Sequence, residues 1–93
     1  MNYINHIIST YAAEYTLLDW IPLDKLDWEW LSRNPAAIHL LEKHLDKIEW
    51  NYLSINPAAI QILKANPDRI NWDYLSSNPS IFRLNNDQIY KVL

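Results

Sequence analysis

The side chains of this chain that could do chemistry are its serines, histidines and carboxylates, and most of them recur at one interval. Ser32, Ser54 and Ser76 lie 22 residues apart. A serine nucleophile needs an adjacent base and a sharp glycine-rich elbow; these three have no such base, and the chain contains no glycine. A hydroxyl that bonds a carbonyl one turn back, at the end of its helix, is expected instead. His39 falls in register with Gln61 and Arg83, a slot that accepts different polar side chains and is expected to face solvent. His44 aligns with Asn66 and Gln88 at a helix end, and His6 stands alone near the start. His39 and His44 are five apart, not the three or four that place two metal ligands on one helical face. Asp24, Asp46 and Asp68 also share a register, each followed by Lys or Arg, and are expected to be turn residues bonding local backbone. Acid–base catalysis needs two carboxylates in one pocket with separated pKa values, and no spacing here selects a pair. With no phosphate loop, nucleotide fingerprint or zinc spacing, the chain is expected to be no enzyme and to hold no metal or cofactor.

The aromatic residues carry more information. Trp28, Trp50 and Trp72 recur at the same interval, as do Leu31, Leu53 and Leu75, and a stripe at repeat spacing is expected to be a buried structural core. Trp30, Tyr52 and Tyr74 follow the tryptophans by two residues, about 200° around a helix, so they cannot share that face. Either they pack against the neighbouring helix or they form an aromatic ridge of the composition found in binding surfaces. On the second reading the ridge supplies binding energy and the variable slots supply the choice of partner. Trp30, Tyr52, Tyr74, His39, Gln61 and Arg83 are therefore the candidate partner-binding residues.

These positions require a repeated scaffold. The chain divides into units 26–47, 48–69 and 70–91, preceded by residues 1–25, which join an N-terminal cap to a degenerate leading repeat, so that 1–93 is a single domain. In the first unit Asp27 is placed to cap a short helix through Trp28, Leu31 and Ser32, with Glu49 and Asn71 in the same place later. Asn34 precedes Pro35, which pushes it out of helical geometry, and its side chain can cap the second helix with Pro35 at the first position. That helix is expected from Pro35 to His44, with Ala37, Ile38, Leu41 and Leu45 on one face. Asn56 occupies the same junction, and aspartate is expected to replace it freely as a cap. Ile60 and Leu63 are expected in the core of the second unit. The third departs after Pro79, with Asn85 to Asp87 as a turn before a last helix ending at Leu93. Apolar residues at Ile4, Ile7, Ile8, Tyr11, Tyr15 and Leu18 predict an amphipathic cap over Asn2 to Leu18. The fold class expected is all-α: short helical pairs of about 22 residues per unit, stacked as a small solenoid with capping helices at both ends.

Composition narrows the partners. The net charge is −3 and no run of Lys or Arg occurs, which argues against nucleic acid. No cysteine is present, so neither disulfides nor thiol chemistry arises. No stretch of about 18 apolar residues exists, so no membrane partner is expected, and the first residues lack the pattern of a secretory signal, so the chain is expected not to be secreted.

Leu17 to Trp28 (LLDWIPLDKLDW), Trp30 to His44 (WLSRNPAAIHLLEKH), Ile48 to Leu63 (IEWNYLSINPAAIQIL) and Asn66 to Phe82 (NPDRINWDYLSSNPSIF) resemble the short tryptophan and Asn-Pro repeats of uncharacterised proteins from giant and other large DNA viruses. His44-Leu45 stands where those repeats have Asn-Pro. The resemblance implies a viral origin, an α-helical repeat, and a place in the host-cell cytoplasm or the virion. It transfers no catalytic residue. The function expected is a non-enzymatic protein–protein interaction module with a host or viral protein as partner, or alternatively a structural piece associated with the virion or capsid.

Overall fold

A computed structural model of the chain describes residues 15–85, and among them every regular element is helical, with no strand. Five short α-helices occur there: α1 (Trp28–Arg33), α2 (Ile38–Glu42), α3 (Trp50–Leu53), α4 (Ile60–Ala65) and α5 (Trp72–Leu75). Single turns of 3₁₀ helix lie at Leu23–Lys25, Pro35–Ala37, Leu45–Lys47, Pro67–Arg69 and Pro79–Ile81. Among the described residues no helix is long and apolar enough to cross a membrane.

Local chemistry sets the helix ends. Asp27 is extended and accepts the backbone N–H of Glu29 at 2.8 Å and of Trp30 at 3.4 Å, satisfying donors that the first turn of α1 leaves open. Asn34, held at φ −85° and ψ 115° ahead of Pro35, stops α1, and its Oδ1 accepts Ala36 N–H at 2.9 Å. Asn56 does the same with Ala58 N–H at 3.0 Å and Asn78 with Ser80 N–H at 2.9 Å. Asn71 caps α5 through Tyr74 N–H at 3.1 Å, whereas Glu49 makes no side-chain cap. No described residue takes a positive φ, so these helices close without the left-handed turn that favours glycine.

The polar residues of the repeat are used twice. Ser32, Ser54 and Ser76 donate to the carbonyls of Trp28, Trp50 and Trp72 at 2.7, 2.8 and 2.9 Å, the bond one turn back. The same hydroxyl then accepts from the following unit: Ser32 Oγ takes Glu49 N–H at 2.9 Å, and Ser54 Oγ takes Asn71 N–H at 3.0 Å. Asn56 Nδ2 donates to the carbonyls of Ser32 and Asn34, both at 3.0 Å, and Asn78 Nδ2 donates to those of Ser54 at 3.1 Å and Asn56 at 2.9 Å. Ser32, Ser54, Asn56 and Asn78 are all fully buried. Free replacement of Asn56 by aspartate is thereby overturned, since a carboxylate would have no proton to give two buried carbonyls and would itself be a buried, unpaired charge.

Ala37, Leu41, Ile48, Leu53, Ala59, Ile62 and Leu63 form one buried cluster, against which Trp28, Leu31, Ile38, Trp50, Ile70 and Leu75 pack. The uniform tryptophan core is corrected: Trp28 and Trp50 are half-buried, and Trp72 is 64 % exposed. The His44 ring lies 5.1 Å from that of Trp28, and the Arg69 guanidinium lies 5.2 Å over Trp50; no described ring or cation covers Trp72. The helix expected from Pro35 to His44 is a 3₁₀ turn followed by α2, which ends at Glu42. His44 then leaves helical geometry at φ −137° and ψ 54°. The four-residue register with Leu41 is lost, and Leu45 is 45 % exposed rather than in the core. Of the expected N-terminal helix, Tyr15 to Leu18 belong to no helix and are exposed, and residues 1–14 lie outside the described range. The closing helix to Leu93, expected beyond Asn85, also lies outside it.

Candidate functional site

Caps and helix length decide where the second aromatic of each unit stands. Asp27 fixes the start of α1 one residue before Trp28, so Trp28 packs toward the buried cluster and Trp30 points away from it, 63 % exposed. Tyr52 on α3 is half-buried and Tyr74 on α5 is exposed, and none of the three belongs to the buried cluster.

They meet one another through Arg33. The guanidinium carbon of Arg33 lies 4.9 Å from the ring centroid of Trp30 and 5.3 Å from that of Tyr52. Both distances fall within the range in which a ring quadrupole attracts a cation, worth about 0.5–1 kcal/mol per ring at an exposed site. Tyr52 in turn meets Tyr74 edge to face, with centroids 6.3 Å apart and planes at 65°, a favoured aromatic geometry. Glu29 pushes the Tyr52 phenol above its ordinary value, first through hydrogen bonding, which favours the neutral, donating form, and then through its charge. The result is a ladder of Trp30, Arg33, Tyr52 and Tyr74 that crosses α1, α3 and α5, with a cation and a carboxylate beside it.

The structure brings Trp30, Tyr52 and Tyr74 together and places the variable slots elsewhere. His39 borders a depression with Tyr15, Leu17, Leu40 and Lys43, its Nδ1 3.8 Å from the Glu42 carboxylate. Gln61 lines another of about 270 Å³ with Glu42, Leu45, Ile62 and Asn66. Arg83 is exposed in the segment after Pro79–Ile81. No three side chains of His, Asp or Glu gather around one point among the described residues.

Glu29 and Arg33 are the residues that inspection of the sequence passed over. A signal for Arg33 was present, since it stands in register with Ile55 and Ser77. A position that breaks the repeat beside one that keeps it marks a use peculiar to one unit. Compared with models of protein families, with characterised proteins and with solved structures, the chain matches none.

Proposed function

We propose that the chain is a non-enzymatic protein-binding module, a short solenoid whose stacked units carry the ladder Trp30, Arg33, Tyr52 and Tyr74 as its binding face. Recurrence of the same three bonds at both unit boundaries, Ser Oγ to a backbone N–H and Asn Nδ2 to two carbonyls, supports the stack. The observation that carries the binding reading is Arg33, held between Trp30 and Tyr52. A row of rings pre-ordered by a cation loses little entropy on binding, and Tyr, Trp and Arg are the residues in which interface energy concentrates. Arg33 lies within cation–ring distance of both Trp30 and Tyr52, and the N–H groups of a guanidinium suit a partner's carbonyl or carboxylate. The resemblance to repeats of large DNA viruses supports a host or viral protein as that partner, met in the host cytoplasm or the virion.

The test compares wild type with Tyr52→Ala/Tyr74→Ala as bait in infected-cell lysate. A protein retained by wild type and lost by the variant is expected, with binding weakened by roughly 1–3 kcal/mol per ring while the thermal melts of the two chains stay close. A partner held equally by both, or a variant that melts as low as Trp50→Ala, would refute the ridge. A second reading, a structural piece of the virion, is favoured by the apolar side chains left open at Trp72, Phe82 and Leu84, and predicts many copies of the chain in purified particles.

A further inference from the structure

The rings of the binding face are spaced and charged in a way that selects what lies on them. Arg33 stands 4.9 Å from the ring centroid of Trp30 and 5.3 Å from that of Tyr52, so the two rings are no further apart than those distances together. A polyproline II chain returns to the same face every three residues, about 9 Å along its axis. Prolines three apart on such a chain match the interval across Arg33, and Tyr74 continues the row 6.3 Å beyond Tyr52. Proline-rich segments in this conformation are recognised by rows of aromatic side chains.

The arginine suits the backbone of the same kind of chain. Polyproline II makes no internal hydrogen bonds, so its carbonyls are free to accept, and a guanidinium is all donors. The charge around the rings sets the sign of the remaining side chains. On α1, α3 and α5 and their N-caps the carboxylates are Asp27, Glu29, Glu49 and Asp73 and the cation is Arg33, all of them exposed. Glu29 stands close enough to Tyr52 to raise its phenol by hydrogen bonding, and Asp73, two repeat intervals later, directly precedes Tyr74. The chain as a whole carries −3. A partner with Lys or Arg beside its prolines meets complementary charge here, whereas an acidic one meets repulsion.

We infer that the binding face takes a basic, proline-rich segment of a partner protein, extended across α1, α3 and α5, with prolines on Trp30 and Tyr52, a backbone carbonyl on Arg33 and a Lys or Arg toward Glu29. The inference rests on the ridge proposed above and adds the conformation and charge of what the ridge holds. Polyproline II is ordered before it binds, so little entropy is lost when it docks.

An array of short synthetic peptides, probed with the full chain, tests this. Two prolines three apart are fixed while Lys, Glu or Ser occupies each remaining position in turn, and a matched array carries Ala in place of both prolines. The chain is expected to be retained on the proline array, with Lys favoured over Glu by roughly fivefold or more at one position at least, and less strongly as salt is raised. Retention on the alanine array is expected to be lost. Glu29→Gln should weaken the preference for Lys while leaving the Ser peptides bound as before; Asp73→Asn gives the same readout if Glu29→Gln melts low. Tyr52→Ala/Tyr74→Ala should lose the proline peptides altogether. Blank arrays, equal retention on the two arrays, a preference for Glu, or retention unchanged in the tyrosine variant each overturns the inference. The ridge itself is judged by the lysate capture: a partner lost by the tyrosine variant while both arrays stay blank leaves the ridge standing and refutes the basic, proline-rich segment.

Discussion

The carboxamide nitrogen of Asn56 lies 3.0 Å from the carbonyl oxygen of Ser32, 24 residues earlier in the chain. The same amide reaches the carbonyl of Asn34, while its oxygen caps Ala58, so one buried side chain starts a turn and ties together two segments more than 20 residues apart. Asn56→Ala removes all three bonds, and although the Asn34 carbonyl keeps Ala37 N–H at 3.0 Å, the Ser32 carbonyl loses its donor, at a cost of about 2–4 kcal/mol from bonds of roughly 1 kcal/mol each plus that orphaned acceptor. Asn56→Asp keeps only the cap and should be at least as damaging. Urea midpoints check the order, with Asn34→Asp close to wild type because its Nδ2 has no partner within the described residues. Equal midpoints for the two aspartate variants would refute the cross-unit role.

Burial separates two tryptophans that the repeat makes equivalent. Trp50 is half-buried beneath Arg69 and packs on the cluster, and Trp50→Ala should cost about 2–4 kcal/mol, toward the range for deleting a buried aromatic. Trp72→Ala removes a largely exposed ring and should cost about 1 kcal/mol or less. Thermal unfolding of the pair decides between this gradient and a uniform core.

The serine series grades in the same direction. Ser54→Ala deletes a fully buried hydroxyl that accepts Asn71 N–H and should cost about 1–3 kcal/mol, the range for leaving a buried donor unpaired. Ser76→Ala loses only the bond back to Trp72 in an exposed setting and should change little. Amide exchange adds a site-specific readout: protection at Asn71 N–H should collapse in Ser54→Ala and persist in Ser76→Ala.

Tyr52 gives the pH dependence. Glu29 holds its phenol above the ordinary value of 10.0, so the folded chain keeps the proton where the unfolded chain would release it. The stabilisation is therefore complete below the ordinary value and is lost as pH rises through the raised one. Phenolate absorbance should show a late-titrating component from Tyr52 that moves to lower pH in Glu29→Gln. An unchanged titration in that variant would show that Glu29 is not the cause.

Arg33→Lys tests the ladder without removing its charge. A compact ammonium lacks the planar, weakly hydrated guanidinium that stacks on aromatic rings. Partner binding should weaken several-fold while stability moves by less than about 0.5 kcal/mol, as for ordinary surface changes. Equal binding by the two chains would show that the cation–ring contacts are incidental.

The sequence by itself determined whatever is settled within about one helical turn. Asp27 and Asn34 cap where their spacing to Trp28 and Pro35 places them, and Ser32, Ser54 and Ser76 bond back four residues, because short-range backbone geometry brings those atoms together wherever the helix forms. The two faces of α1 were legible for the same reason, as the angle between Trp28 and Trp30 follows from helical pitch. Tertiary structure alone decided how those groups serve a second time. That Ser32 also accepts from Glu49, that Asn56 reaches back to Ser32 and Asn34, and that Arg33 lies between Trp30 and Tyr52 depend on how one unit settles on the next, a displacement that sequence spacing does not encode. Burial depends on it too: Trp50 and Trp72 occupy the same register, yet only Trp50 is covered by a described side chain, Arg69, since burial is a property of the surface that arrives and not of the residue that waits for it.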